Sequence, residues 1–277
     1  MAYKTILVHC DGGRGMETRL KLAVDLAVRF DSHVVGLHVR QRFHAPAFTD
    51  ADKAMDALYR TYEATAKAEE AAASTVFKKV VGTKGCSSEW RVTDRHADDE
   101  ALSGRARYAD LVVVGQSDPD APTMAPPDLA ENVAMTSERP VLVVPHVGVM
   151  KPPGKTVMLC WNDSREAARA ATGALPLLAA ADKVIVLLVD PANGAGREEP
   201  GVDVAEWLAR HGVKVTVQRD SAAGSDVGGV ILSRAADNDA DLIVMGIYGH
   251  SRMREMVLGG ASRTLLASMT APLLIAH

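Results

Sequence analysis

Gly246, Gly249, Gly259 and Gly260 close the apolar run that begins at Ala240, and they stand directly before the run Ala261–Met269. Glycine lacks a Cβ, so a loop built on it turns through positive φ and comes close to a phosphate oxygen. The residues Gly260–Met269 read as a helix, whose first N–H groups have no intrahelical partner and point at an anion. His250, Arg252 and Arg254 add positive charge between the glycines. The chemistry this spacing predicts is the cradling of a nucleotide's phosphates. Turn glycines in an open α/β sheet are the alternative that the spacing alone leaves open.

Other reactive groups are sparser. His9, Cys10, Asp11 and His38 fall at the ends of apolar runs, with His44 just beyond, and such residue types can bind zinc. Strand alternation sends His9 and Cys10 to opposite faces, so at most part of the set converges. Polar strand ends facing an open cleft account for the rest. Asp163-Ser164 precedes an alanine-rich helix and reads as an N-cap rather than a nucleophile. The three cysteines (Cys10, Cys86 and Cys160) form no C-x-x-C pair, a cytosolic pattern of small buried hydrophobes. No P-loop, H-E-x-x-H or G-x-S-x-G pattern occurs, so nothing assembles a catalytic base with a charge stabiliser. Trp90, Trp161 and Trp207 sit on separate elements; Trp161, beside Asn162, is placed to wall an adenine pocket or to pack in a core.

The elements that must position these groups come in two copies. Lys4–Asp11 recurs as Lys155–Asn162, Ala109–Gly115 as Ala240–Gly246, and Arg139–His146, more loosely, as Ala271–His277. The offset is 151 at the first pair and 131 at the second, so the first copy carries about twenty extra residues. They fall in 40–81, where Ala51–Val80 predicts one long helix. Strands are expected at Thr5–Cys10, His33–Val39, Glu89–Thr93, Asp110–Gly115 and Val141–Val144, with a helix at Met16–Phe30. The second copy predicts strands at Thr156–Trp161, Lys183–Val189, Lys214–Gln218, Asp241–Gly246 and Leu273–Ala276. Its helices are Ser164–Leu178, Asp203–His211, Val227–Asp237 and Gly260–Met269. Unbroken apolar strands between helices imply two tandem, open, parallel five-stranded α/β sheets with helices on both faces. Residues 1–147 and 155–277 form the two domains, and the Gly- and Pro-rich 148–154 links them. A net charge of −4 gives no electrostatic case for nucleic acid or anionic membrane, and no stretch is long enough to span a bilayer. The first residues lack the order of a signal peptide.

The doubled architecture, with G-x2-G-x9-G after the fourth strand, resembles the universal stress protein A family in its tandem, Rossmann-like form. The likeness includes Ile6–Asp11, Met158–Ser164, the paired A-D-L-x-V-x-G runs and the final P-x-L strands. It implies a site in which the residues ending the first two strands hold adenine and ribose, and the glycine loop holds the phosphates. Carried over, Asn162, Val189, Gly246, Gly249 and Gly259 form that site in the second copy. The family's closing hydroxyl is replaced by Gly260, with Ser262 two residues on, at a loss on the order of 1 kcal/mol for one hydrogen bond. The first copy keeps Asp11 and Val39, but its loop after Gly115 has no later glycine and gains prolines, Asp118, Asp120 and Asp128. Prolines remove donors, and a carboxylate in the first turn of the following helix competes with an anion. No triphosphate is expected there. The resemblance therefore implies a cytoplasmic stress-adaptation protein that binds ATP or AMP in its C-terminal domain without catalysis. A nucleotide-free scaffold for protein partners, a weak ATP hydrolase and a metal-binding protein are the rivals. The last strands of the two lobes are expected to meet, and a homodimer of doubled chains is a further expectation.

Overall fold

A computed structural model describes residues 2–41, 52–95, 98–121, 125–190, 199–247 and 260–277. The first lobe runs β1 (Thr5–His9), α1 (Met16–Phe30), β2 (His33–Gln41), α2 (Asp52–Gly82), β3 (Ser88–Arg95), α3 (Asp98–Ala106), β4 (Leu111–Gly115), α4 (Leu129–Ser137) and β5 (Val141–Val144). The second runs β6 (Thr156–Cys160), α5 (Arg165–Ala179), β7 (Lys183–Val189), α6 (Val202–Arg210), β8 (Val215–Asp220), α7 (Val227–Asp237), β9 (Leu242–Gly246), α8 (Gly260–Ser268) and β10 (Leu273–Ala276). Strand order is β3-β2-β1-β4-β5-β10-β9-β6-β7-β8. Each lobe is thus a parallel five-stranded sheet, and the two join into one ten-stranded sheet through the antiparallel β5–β10 pair.

The central strands are apolar on both faces because helices cover both. Leu111–Val114, Val141–Val144 and Leu273–Ile275 are almost entirely removed from water and divide between two cores, one on each side of the sheet. The recurring A-D-L triplet has a job in this frame. Asp110 Oδ2 accepts from the amides of Lys4 (2.8 Å) and Thr5 (3.0 Å), which start β1. Asp241 accepts from the amides of Gly154 (2.6 Å), Lys155 and Thr156, which start β6. The aspartate fixes the register of the first strand against the fourth, satisfying donors that the sheet leaves open.

The long helix predicted within 40–81 is α2. Its C-terminal half buries Ala73, Phe77, Val80 and Val81, while Leu58 and Tyr59 near its start are half exposed. A Cβ on Gly36 of β2 would overlap the Phe77 ring, so glycine there admits the close approach of helix and sheet. Across the seam, Tyr3 Oη donates to Gly173 O (2.7 Å), Arg29 Nη2 to Ala180 O (2.7 Å) and Gln116 Nε2 to Leu266 O (2.8 Å). Among the described residues no helix is long and apolar enough to cross a membrane.

Candidate functional site

In each lobe the chain leaves the first strand in one direction and returns on its other side, which opens a crevice at the strand C-termini between the first and fourth strands. In the second lobe, β6 lies between β9 and β7, so Val189 and Gly246 end the two parallel strands flanking it and Asn162 lies two residues past its last residue, Cys160. Asn162 is exposed, and its Oδ1 accepts from Ser164 Oγ (2.7 Å) and, weakly, from the Ser164 amide (3.3 Å). Ser164 in turn caps α5 by accepting from the Ala167 amide at 3.1 Å, as the sequence predicts. Val189 is half-buried at the end of β7. Gly246 packs directly on the first turn of α5: a Cβ there would overlap Glu166 C and Ala167 N. Gly260 opens α8 and is exposed, and Ser262 in the same turn is buried. Gly249, Gly259 and the basic residues between them lie outside the described residues.

One group in this crevice escapes a reading of motifs. Glu166 is 3 % exposed, and its Oε1 accepts from Arg165 Nε at 2.5 Å. Burial pushes its carboxyl up, but Arg165, its own backbone N–H and His277 outweigh that and hold it below the ordinary value. Gly246 meets the backbone of Glu166, while the Glu166 carboxylate is paired with Arg165.

The first lobe holds a different arrangement. Arg19 is 2 % exposed; its Nε donates to His9 O (2.8 Å) and its Nη2 to Asp11 Oδ1 (2.6 Å). A Cβ on Gly115 would overlap Arg19 Nη1, so the guanidinium lies in the crevice between the ends of β1 and β4. Asp11 also accepts from the Gly13 amide at 3.0 Å. Burial pushes the Asp11 carboxyl up, yet Arg19 beside it, with His9 and the Gly13 amide, holds it well below the usual carboxylate range. The aspartate that the family pattern assigns to adenine is thus committed within the chain. The position matching Arg19 at the offset of 151 is Ala170, buried on the same face of α5. Sequence reasoning passed over Arg19 because it read Met16–Phe30 for its apolar residues; a cation amid Leu20, Ala23, Val24 and Ala27, all buried with it, was the available signal.

A cavity of about 80 Å³ remains, lined by Asp11, Arg19, Asp118, Pro126, Pro127 and Glu131 among others. Asp118 Oδ1 accepts from the Asp120 amide (3.0 Å) and lies 3.7 Å from His146 Nδ1. Asp128 is the N-cap of α4 rather than a residue of its first turn, and its side chain makes no capping bond. His9 is buried, with Nδ1 4.0 Å from Asp11 Oδ2. His38 is spoken for: Nδ1 lies 2.7 Å from Cys10 O, and the ring stacks on Trp90. His44 lies outside the described residues. Among the described residues no three such side chains are placed to hold a metal ion. Burial pushes the Cys10 and Cys160 thiols up to about 12, so neither offers a thiolate at neutral pH.

The model of the Universal stress protein family matches residues 2–145 and again 154–277. A universal stress protein from Archaeoglobus fulgidus DSM 4304 is similar in structure, with a TM-score of 0.71, 16 % identity, and coverage of 98 % of this chain and 95 % of that one. A functionally unknown protein from Pseudomonas aeruginosa PAO1 is similar with a TM-score of 0.59, 16 % identity, and coverage of 99 % and 92 %. Both likenesses speak for the fold alone. A universal stress protein in complex with cAMP matches 52 % of this chain and 98 % of its own at 25 % identity, with a TM-score of 0.37 that carries no argument about ligands. No curated protein matches the chain.

Proposed function

The chain belongs to the universal stress protein family, and from that premise we propose that its C-terminal lobe binds an adenine nucleotide, ATP or AMP, as a regulatory ligand in stress adaptation. One observation carries the reading: the crevice that Arg19 fills in the first lobe has Ala170 at the matching place in the second. In the second crevice Gly246 lies against the backbone of α5, so that helix's first turn rather than a buried cation walls the site, beside an exposed Asn162 carboxamide and the first residue of α8. The site comprises Asn162, Val189, Gly246, Gly249, Gly259, Gly260 and Ser262, in a domain spanning 155–277. The first domain, 1–147, takes no triphosphate. Among the described residues neither lobe shows a base poised against a nucleophile, which favours binding over hydrolysis. Three free cysteines support a cytoplasmic location. A homodimer of doubled chains belongs to the same reading. Charged residues on the outer strands, Glu89 and Arg91 on β3 and Arg219 and Asp220 on β8, oppose pairing by strand edges, so association would use the helical faces.

A second reading, a nucleotide-free scaffold for protein partners, is favoured by the altered glycine loops of both copies, Gly260 in place of the closing hydroxyl in the second and prolines and aspartates in the first. Calorimetric titration of the full chain with ATP, ADP and AMP separates the two. Saturable binding that Gly249→Asp abolishes supports the nucleotide reading. No heat at millimolar nucleotide supports the scaffold.

A further inference from the structure

The two copies present opposite hydrogen-bonding chemistry at one place. Asp11 and Asn162 correspond at the offset of 151, and each makes the same turn with the residue two further on. Asp11 Oδ1 accepts from the Gly13 amide at 3.0 Å, and Asn162 Oδ1 accepts from the Ser164 amide at 3.3 Å. The Asn162 oxygen takes a second, shorter bond from Ser164 Oγ at 2.7 Å. That hydroxyl already accepts from the Ala167 amide (3.1 Å), so its own hydrogen is free for Oδ1. A backbone N–H can only donate, which fixes the carboxamide oxygen toward Ser164 and turns Nδ2 away from it. Among the described residues no acceptor is bonded to that Nδ2.

The carboxylate at the first place only accepts, and it holds Arg19 Nη2 at 2.6 Å. The carboxamide at the second place shows N–H donors where the carboxylate shows an oxygen. Asn162 is exposed and follows Trp161, whose amide donates to Leu187 O of β7 at 2.9 Å, so the carboxamide stands at the head of the β6–β7 ladder. A ligand group that meets Nδ2 must accept. A carbonyl oxygen does so, whereas an amino group sets donor against donor and leaves both unpaired. Resting on the nucleotide reading of this crevice, we propose that Asn162 is the residue that selects the base, and that the second lobe prefers a 6-oxopurine nucleotide, IMP or GMP, to AMP. The oxygen at position 6 accepts from Nδ2; the amino group that adenine carries there has no lone pair to offer it.

Calorimetric titration of the full chain with AMP, IMP and GMP tests it. IMP and GMP should bind about tenfold more tightly than AMP, the size of one hydrogen bond made in one complex and lost in the other. Asn162→Asp still accepts from Ser164, so the turn and the cap of α5 stay in place while an oxygen replaces the outward NH2. Its order should reverse, with AMP above IMP. Asn162→Ala removes the reading group and should level the two, and the position is exposed in either variant. The ratio of the two affinities is the readout, because a general loss of structure lowers both alike. A parent that binds AMP as tightly as IMP, or an Asn162→Asp variant that keeps the parent's order, overturns the base preference and leaves nucleotide binding standing. Silence with all three nucleotides at millimolar concentration overturns both.

Discussion

Arg19 and Asp11 set the character of the first crevice, and their pairing has measurable consequences. Both side chains are largely buried, so removing one leaves the other charged and uncompensated. Asp11→Ala should cost about 3–5 kcal/mol in a urea melt at pH 7. The pH dependence has a definite sign. The folded carboxyl titrates below its unfolded value of about 3.9, so its contribution is fully present above that pH and lost as pH falls toward the folded value. Stability of Asp11→Asn should therefore converge on that of the parent as pH is lowered below about 4. A constant gap down to pH 2 would show that the pair is not the source. Glu131 has the opposite sign: its raised carboxyl penalises the folded state at neutral pH, so Glu131→Gln should be neutral or mildly stabilising there. Arg19→Ala empties the crevice without supplying donors, since Pro126 and Pro127 remain. ATP titration of a Gly249→Asp/Arg19→Ala double variant should stay silent; recovered binding would move the anion site to the first lobe.

At the scale of elements, the two crevices differ through where a helix begins. α5 starts at Arg165 behind its Ser164 cap, two residues earlier in the repeat than α1, which starts at Met16 with no side-chain cap. The early start brings backbone rather than side chain under Gly246. Ser164→Ala removes the cap and one end of the Asn162 hydrogen bond, and should lower stability by about 1 kcal/mol. Its nucleotide affinity should fall as well, since Asn162 loses the partner that orients it. α8 is set by α7: a Cβ on Gly228 would meet the Thr264 side chain and Ala261 O. Gly228→Ala should then cost about 1–3 kcal/mol by overpacking, and it should weaken ATP more than a Gly104→Ala control in α3, where an added Cβ meets nothing within 4 Å. Equal loss in both would mean that α8 placement is not what the nucleotide reads. These elements were legible to different degrees, and for physical reasons. Strands such as Val141–Val144 and Lys183–Val189 match their expected bounds because sheets covered on both faces demand continuous apolar runs. The edge strands β3 and β8 extend past their expected ends, where only one neighbour and a charged sequence mark them. α3 went unnamed because Ala101, Leu102 and Ala106 are its only buried apolar side chains, too few to show a period. The strand-end places of Val189 and Gly246 were legible from the apolar runs, whereas the burial of Arg19, Glu131 and Glu166 was not. A lone charged side chain announces its burial only when the opposing strand end is in view.

At the scale of the molecule, the doubling does more than repeat a site. β5 and β10 are fully apolar, and each would be the open edge of its sheet were the other absent. Pairing them removes both edges at once and merges the two lobes' cores into layers that run across the seam. Arg29 of α1 reinforces the junction by donating to carbonyls of Pro153, Gly154 and Ala180. Tyr3 does so through Gly173, a residue whose missing Cβ leaves space for Pro140. With β5 and β10 bonded directly to each other, neither lobe can lose its structure while the other keeps a covered edge. Scanning calorimetry of the full chain should show one transition whose van't Hoff and calorimetric enthalpies agree. Expressed alone, residues 155–277 should self-associate through the bared β10 or aggregate, because an exposed apolar edge recruits another strand. A monomeric, folded 155–277 fragment, or two resolved transitions in the parent, would make the seam a contact between independent domains. Coupling between an occupied second crevice and the first would then have no shared sheet to travel through.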